Sequence, residues 1–234
     1  MAYSSITRTA KGRDAINYAL GIDGKGHNGK ENRNEYISFV NLPLPADKND
    51  KRFIRAFMDV WKHARKNHDC QMLRLVISYS RNELDPDNPA DILKADEIGQ
   101  KIVNKYYPNR QAVVFTQIDG KSGLVHTHIL ISDVELETYK GCENRLYKAK
   151  YVEKIVDKTI EESGITLDYG QGMSKEEWKE SKKGTKNRDT YTERNARAKG
   201  QYVWKDDLKA RISFCMASCT SEAKFIDEMK KNGV

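Results

Sequence analysis

Residues 111–133 read "QAVVFTQIDGKSGLVHTHILISD", two apolar runs joined by the tetrapeptide "GKSG". Side chains alternate between faces along a strand. In the second run His126, His128 and Leu130 therefore point one way, and Val125, Thr127, Ile129 and Ile131 the other. The Gly-bounded tetrapeptide is turn chemistry, so "QAVVFTQID" and "LVHTHILISD" pair antiparallel. That turn carries Gln117 and Asp119 back towards the histidines. Two imidazoles on one strand face are two candidate ligands of a divalent ion. Gln117 offers a carbonyl oxygen as a third. Asp119 offers a carboxylate that accepts a ring N–H and fixes a histidine tautomer. Each feature alone has a plainer reading, packed histidines in one case and an Asp-Gly turn in the other.

Outward from this hairpin, the first 135 residues read as mixed α+β around an antiparallel sheet. "SSITRTA", "EYISFVNLPLP" and "QMLRLVISYS" read as further strands. "GRDAINYAL" reads as a helix with Ala15, Ile16, Ala19 and Leu20 on its apolar side, and 48–68 as a helix through Phe53, Phe57, Val60, Trp61 and Ala64. After the turn "DPDNP", residues 91–107 place Ile92, Ala95, Ile98, Ile102, Val103 and Tyr106 at helical spacing. The Gly-, Asn- and Lys-rich stretch 21–34 reads as a loop or lid. Beyond 135 the pattern is helical: 147–163, 174–183, 187–198, 204–217 and 220–231. The division expected is a core at 1–135 and a helical extension at 136–234.

The 234 residues carry a formal net charge of +7 and a pI near 9.0, a balance that favours a polyanionic partner, nucleic acid first. The basic residues concentrate in 182–199, where Lys182, Lys183, Lys186, Arg188, Arg194, Arg197 and Lys199 accompany Tyr191. Cations with an aromatic among them suit a groove that tracks a nucleic-acid backbone; a solvated helix face is the plainer reading. No apolar run is long enough for a transmembrane helix, and the start lacks a signal-peptide core, so the expectation is a cytoplasmic protein. The cysteines, Cys70, Cys142, Cys215 and Cys219, form no CxxC pair, and the helical spacing of the last two reads as packing.

Several stretches, in order, resemble the relaxases of mobile elements, HUH-type nucleases that nick and rejoin DNA at an origin of transfer. "VISYSRNELDP" supplies the serine-aromatic strand end, Ser78 and Tyr79, followed by the acidic Glu83. "ADEIGQKIVNKYY" resembles the family's "AxEIG" helix, and "TQIDGKSGLVHTHI" its metal hairpin. "TYTERNARAKGQYVW" supplies Tyr191, Glu193 and Trp204. The resemblance implies a five-stranded antiparallel sheet with flanking helices and a helical C-terminal extension. It implies Mg²⁺ or Mn²⁺ held by His126, His128 and Gln117, with Asp119 and Glu83 supporting them. Gln117 stands where the family usually has histidine. The nucleophile implied by "DAINYAL" is Tyr18, with His27 as its rival; Arg8, Arg13 and Asn17, close to Tyr18 in sequence, are candidate DNA contacts with the 182–199 cations. The partners implied are single-stranded and hairpin origin-of-transfer DNA, relaxosome accessory proteins and a coupling protein. A replication initiator or transposase of the same chemistry, and a DNA-binding module without catalysis, are the competing readings.

Overall fold

Five strands form where the alternating segments predict them: β1 (Tyr3–Thr9), β2 (Tyr36–Val40), β3 (Met72–Ser78), β4 (Ala112–Gln117) and β5 (His126–Ser132). They make one antiparallel sheet in the order β1-β3-β5-β4-β2. The computed structural model describes residues 2–22, 33–45, 51–64, 69–120, 122–169, 173, 176–177, 180, 191–219 and 221–233. The chain divides into two units, Met1–Trp178 and Lys179–Val234.

In the first unit the helices are α1 (Gly12–Leu20), α2 (Arg52–Lys62), α3 (Pro89–Tyr106) and α4 (Ala149–Glu162), with a short 3-10 turn at Asn144–Tyr147. Helix α3 starts two residues earlier than its apolar spacing indicates. The Asn88 side chain accepts from the Ala90 amide and Pro89 takes the first turn, so "DPDNP" ends in a helix cap. Helix α2 is shorter than expected within the described residues; 46–50 and 65–68 lie outside them, as does most of the helix expected at 174–183.

The pleat sends the sheet's side chains into two apolar layers. On one face Met72, Val113, Phe115 and Leu130 pack with Ile16 and Ala19 of α1 and with Phe53, Ile54 and Phe57 of α2. On the other face Leu73, Leu75, Ile77, Val114, Ile129 and Ile131 pack with α3 and α4, among them Ile98, Ile102, Val152 and Val156. The strands end at Ser132, close to the boundary expected at 135. The first unit nevertheless runs on to Trp178, because α4 packs against β1 and α3 and fills that second layer.

Two glycines are set by close approach. A Cβ at Gly99 would lie 2.6 Å from Cγ1 of Val114, and one at Gly12 would lie 2.4 Å from the Trp61 ring. Helices α3 and α1 can therefore sit tightly on their neighbours.

The second unit is helical in its described residues: α5 (Tyr191–Ala198), α6 (Trp204–Ser218) and α7 (Glu222–Lys231). Arg197 forks onto Asp206, Lys205 pairs with Glu193 at 2.8 Å, and Cys215 is buried.

Candidate functional site

The register settles which side chains share a face. Gln117 lies across from His126, and Phe115 across from His128. On the other side of β5, Val76 of β3 lies across from His128 and Arg74 across from Leu130. Gln117, His126, His128 and Arg74 therefore all stand on the face that α1 covers.

Helix α1 ends over this face. Gly21, at φ +76°, closes it in the left-handed conformation, with its amide donating to the Tyr18 carbonyl and the Ile22 amide to the Asn17 carbonyl. Side chains also donate to carbonyls at this negative end. Arg33 Nη1 donates to the Tyr18 carbonyl at 2.8 Å. Asn34 Nδ2 and Gln117 Nε2 both donate to the Ala19 carbonyl, at 3.2 and 3.1 Å. A cation at a helix C-terminus is favourable, and Arg33 supplies it. The result fixes the backbone of Tyr18 to the end of β4.

A carbonyl only accepts, so the Gln117 nitrogen must face Ala19, and it also donates to Asn34 Oδ1 at 2.6 Å. This orients the amide and leaves Oε1 buried without a hydrogen-bond partner. His126 Nδ1 lies 3.0 Å from the Leu124 carbonyl, so that nitrogen carries the proton, and a backbone group rather than a carboxylate fixes the tautomer. Its Nε2 is 3.4 Å from Asp119 Oδ1. That is an electrostatic contact and no hydrogen bond, and Oδ1 is itself without a hydrogen-bond partner. The other Asp119 oxygen receives Arg33 Nε at 2.6 Å, both side chains being under a tenth exposed. The His126 and His128 rings are nearly perpendicular, 5.4 Å between centroids. Burial, helped by the charges of His126, Arg74 and Arg33, pushes the His128 imidazolium down to about 3. His128 is thus neutral at ordinary pH, the form a metal ligand needs.

These donors fit a hard divalent cation. Buried Oε1 of Gln117, Oδ1 of Asp119 and Nδ1 of His128 have no hydrogen-bond partner, and Nε2 of His126 faces a carboxylate oxygen. Oxygen with imidazole suits Mg²⁺ or Mn²⁺. No group of three His, Cys, Asp or Glu side chains that could hold a metal occurs among the described residues, so Gln117 would be needed.

The Tyr18 ring is half-buried and carries two guanidinium groups. Arg33 and Arg74 lie 5.0 and 4.9 Å from its centroid. Neither arginine stood out in the sequence. Arg74 left one signal, a single charge inside the apolar strand "MLRLVIS". Arg33 sits in the polar stretch before β2 and left none.

Other expected members lie elsewhere. Arg8 pairs with Leu73, on the opposite face from Arg74, where it meets Asp133 at 3.5 Å and stacks on Tyr147; proximity to Tyr18 in sequence is undone by the alternation of β1. Arg13 is exposed on α1. The Glu83 carboxylate accepts from the amides of Ala2, Ser80 and Asp168, so it joins three chain segments instead of supporting a histidine. Arg197 is turned onto Asp206, and Lys199 is exposed. His27, Lys182, Lys183, Lys186 and Arg188 lie outside the described residues, as does the side chain of Arg194. No helix among the described residues is long and apolar enough to cross a membrane.

Residues 22–165 match the family described as relaxase, MobA/VirD2-like, nuclease domain. Among curated proteins, two forms of protein rlx from Staphylococcus aureus are 25% and 24% identical over all 234 residues. The chain spans 63% and 61% of their lengths. Among solved structures, the Mn-bound MobM relaxase domain with plasmid pMV158 oriT DNA has a TM-score of 0.51 at 11% identity, covering 83% of this chain and 97% of that one. The conjugative relaxase TrwC in complex with oriT DNA, metal-bound, also has 0.51, at 12% identity, covering 100% and 98%. At such identities the likeness is one of fold, a five-stranded antiparallel sheet with flanking helices.

Proposed function

Because this chain belongs to the family of MobA/VirD2-like relaxase nuclease domains, we propose that it nicks one strand of DNA at an origin of transfer and later rejoins it, with Tyr18 as nucleophile. The observation that carries this reading is the fastening of Tyr18. Its carbonyl is held by Arg33, which pairs with Asp119, and the next carbonyl is held by Gln117, across from His126.

In the proposed reaction the Tyr18 phenol gives up its proton as its oxygen attacks phosphorus. The P–O3′ bond breaks, the departing 3′ oxygen takes a proton, and the 5′ phosphate stays on Tyr18. The diester is conserved as a phosphotyrosine, so rejoining by the reverse step needs no nucleotide. A bound Mg²⁺ or Mn²⁺ would polarise the phosphate and offset the charge that develops on it. His126, His128 and Gln117 would hold it. Asp119 would stay paired with Arg33 beside these ligands. Arg33 keeps the α1 end, and with it the phenol, in register with β4 and β5. Substrate charge is met by the basic chain as a whole, net +7. The accessory and coupling proteins that serve relaxases belong to the same proposal, made for a protein of which this chain spans about three fifths in its relatives.

The test is a denaturing gel. Single strands tiling the DNA beside the gene are incubated with the protein and Mn²⁺. A covalent adduct that mass spectrometry places on Tyr18 supports the reading. An adduct on another residue removes Tyr18. No adduct with any strand, with retained binding, favours a DNA-binding module.

A further inference from the structure

Two guanidinium groups stand over one phenol ring, and one carboxylate is there to meet them. Arg33 is accounted for by Asp119 at 2.6 Å and by the Tyr18 carbonyl. Arg74 is not. Its contact is the Tyr18 ring at 4.9 Å, and no acidic side chain among the described residues pairs with it. It is partly buried on the interior strand β3. Its neighbours on that face are Met72 and Val76 along the strand and, across the two ladders, Leu130 and Thr7. An apolar side chain would pack there without bringing a second cation up to Arg33 and the histidines. Like charges in a half-buried setting repel by more than they do in water. Such a cation is favourable once an anion arrives.

The geometry points to Arg74 as the residue that receives a DNA phosphodiester beside Tyr18, between the phenol and the histidine strand. The planar guanidinium fork matches two phosphate oxygens. Held there, a phosphate would lie next to the ring whose oxygen attacks it, and the contact would supply the orientation that in-line attack needs. The inference rests on the strand-nicking reading for the identity of that phosphate.

The test does not require nicking. Binding to fluorescein-labelled oligothymidylate is followed across a salt series without added metal, for the wild type, Arg74→Gln and Arg74→Lys. Loss of one phosphate contact should lower the slope of log affinity on log salt by about 0.7 in Arg74→Gln. Arg74→Lys should keep the wild-type slope. A slope unchanged in Arg74→Gln, with only the melting temperature lowered, overturns the assignment and leaves Arg74 as packing. Should Arg74→Gln fail to fold, the wild type decides: oligothymidylate should protect Arg74 from phenylglyoxal, read by mass spectrometry, and equal labelling with and without DNA overturns it. Absence of a tyrosine adduct in the gel assay would remove the nicking reading and leave these binding results standing.

Discussion

Arg33 and Asp119 form an ion pair 2.6 Å long with side chains only 7% and 9% exposed, joining the segment before β2 to the turn after β4. Removing one partner leaves a buried charge uncompensated, which typically costs about 3–5 kcal/mol. Arg33→Gln should therefore be strongly destabilised in urea, and it should also free the α1 end from its anchor at the Tyr18 carbonyl. Arg33→Gln combined with Asp119→Asn should recover a large part of the loss. A double variant no better than the sum of the singles would mean that the two charges are not coupled.

Tyr18→Phe should keep the fold and the affinity for single-stranded DNA while abolishing the covalent adduct. The ring and its contacts with Arg33 and Arg74 remain. The lost hydroxyl is worth at most a hydrogen bond, about 0.5–1.5 kcal/mol, whereas a nucleophilic oxygen has no substitute. Chemical denaturation, anisotropy and the adduct gel together separate these outcomes.

His126→Ala and His128→Ala should each stop cleavage and leave binding to single strands within a few fold. Metal titration calorimetry gives an independent readout: both variants should lose Mn²⁺ binding. Normal cleavage by His128→Ala with Mn²⁺ present would end the metal assignment.

Gln117→Ala should impair more than a metal ligand, because the Gln117 amide also holds the Ala19 carbonyl and Asn34. A loss of about 1–3 kcal/mol is expected for buried groups left without a partner. Gln117→His should bind Mn²⁺ more tightly, imidazole being the stronger ligand, yet it should still melt below the wild type, since the two-point attachment to α1 and Asn34 is gone.

Gly99→Ala should destabilise the first unit by about 1–3 kcal/mol through overpacking against Val114. Val114→Ala should relieve part of that cost. Thermal melts of the two singles and the double measure the coupling, and an additive result would show that the α3 and β4 backbones shift apart instead.

The sequence by itself determined what is periodic. Alternation in "LVHTHILIS" put His126 and His128 on one face, Gly120 and Gly123 bracketed a turn, and the spacing of Ile92, Ala95, Ile98 and Ile102 made a helix. Each depends only on the geometry of one element, and each stands in the structure. The resemblance to relaxases pointed correctly to the family and the sheet. Tertiary structure decided what depends on how elements far apart in the chain come together. Only the insertion of β3 beside β5 brings Arg74 to the histidine face, and only the return of the chain into β2 brings Arg33 to Asp119 and Tyr18. The β1–β3 register sends Arg8 to the opposite face, and Glu83 accepts from the amides of Ala2, Ser80 and Asp168. Strand order and register come from burying two whole apolar layers at once, and a charged side chain goes where that packing carries its strand.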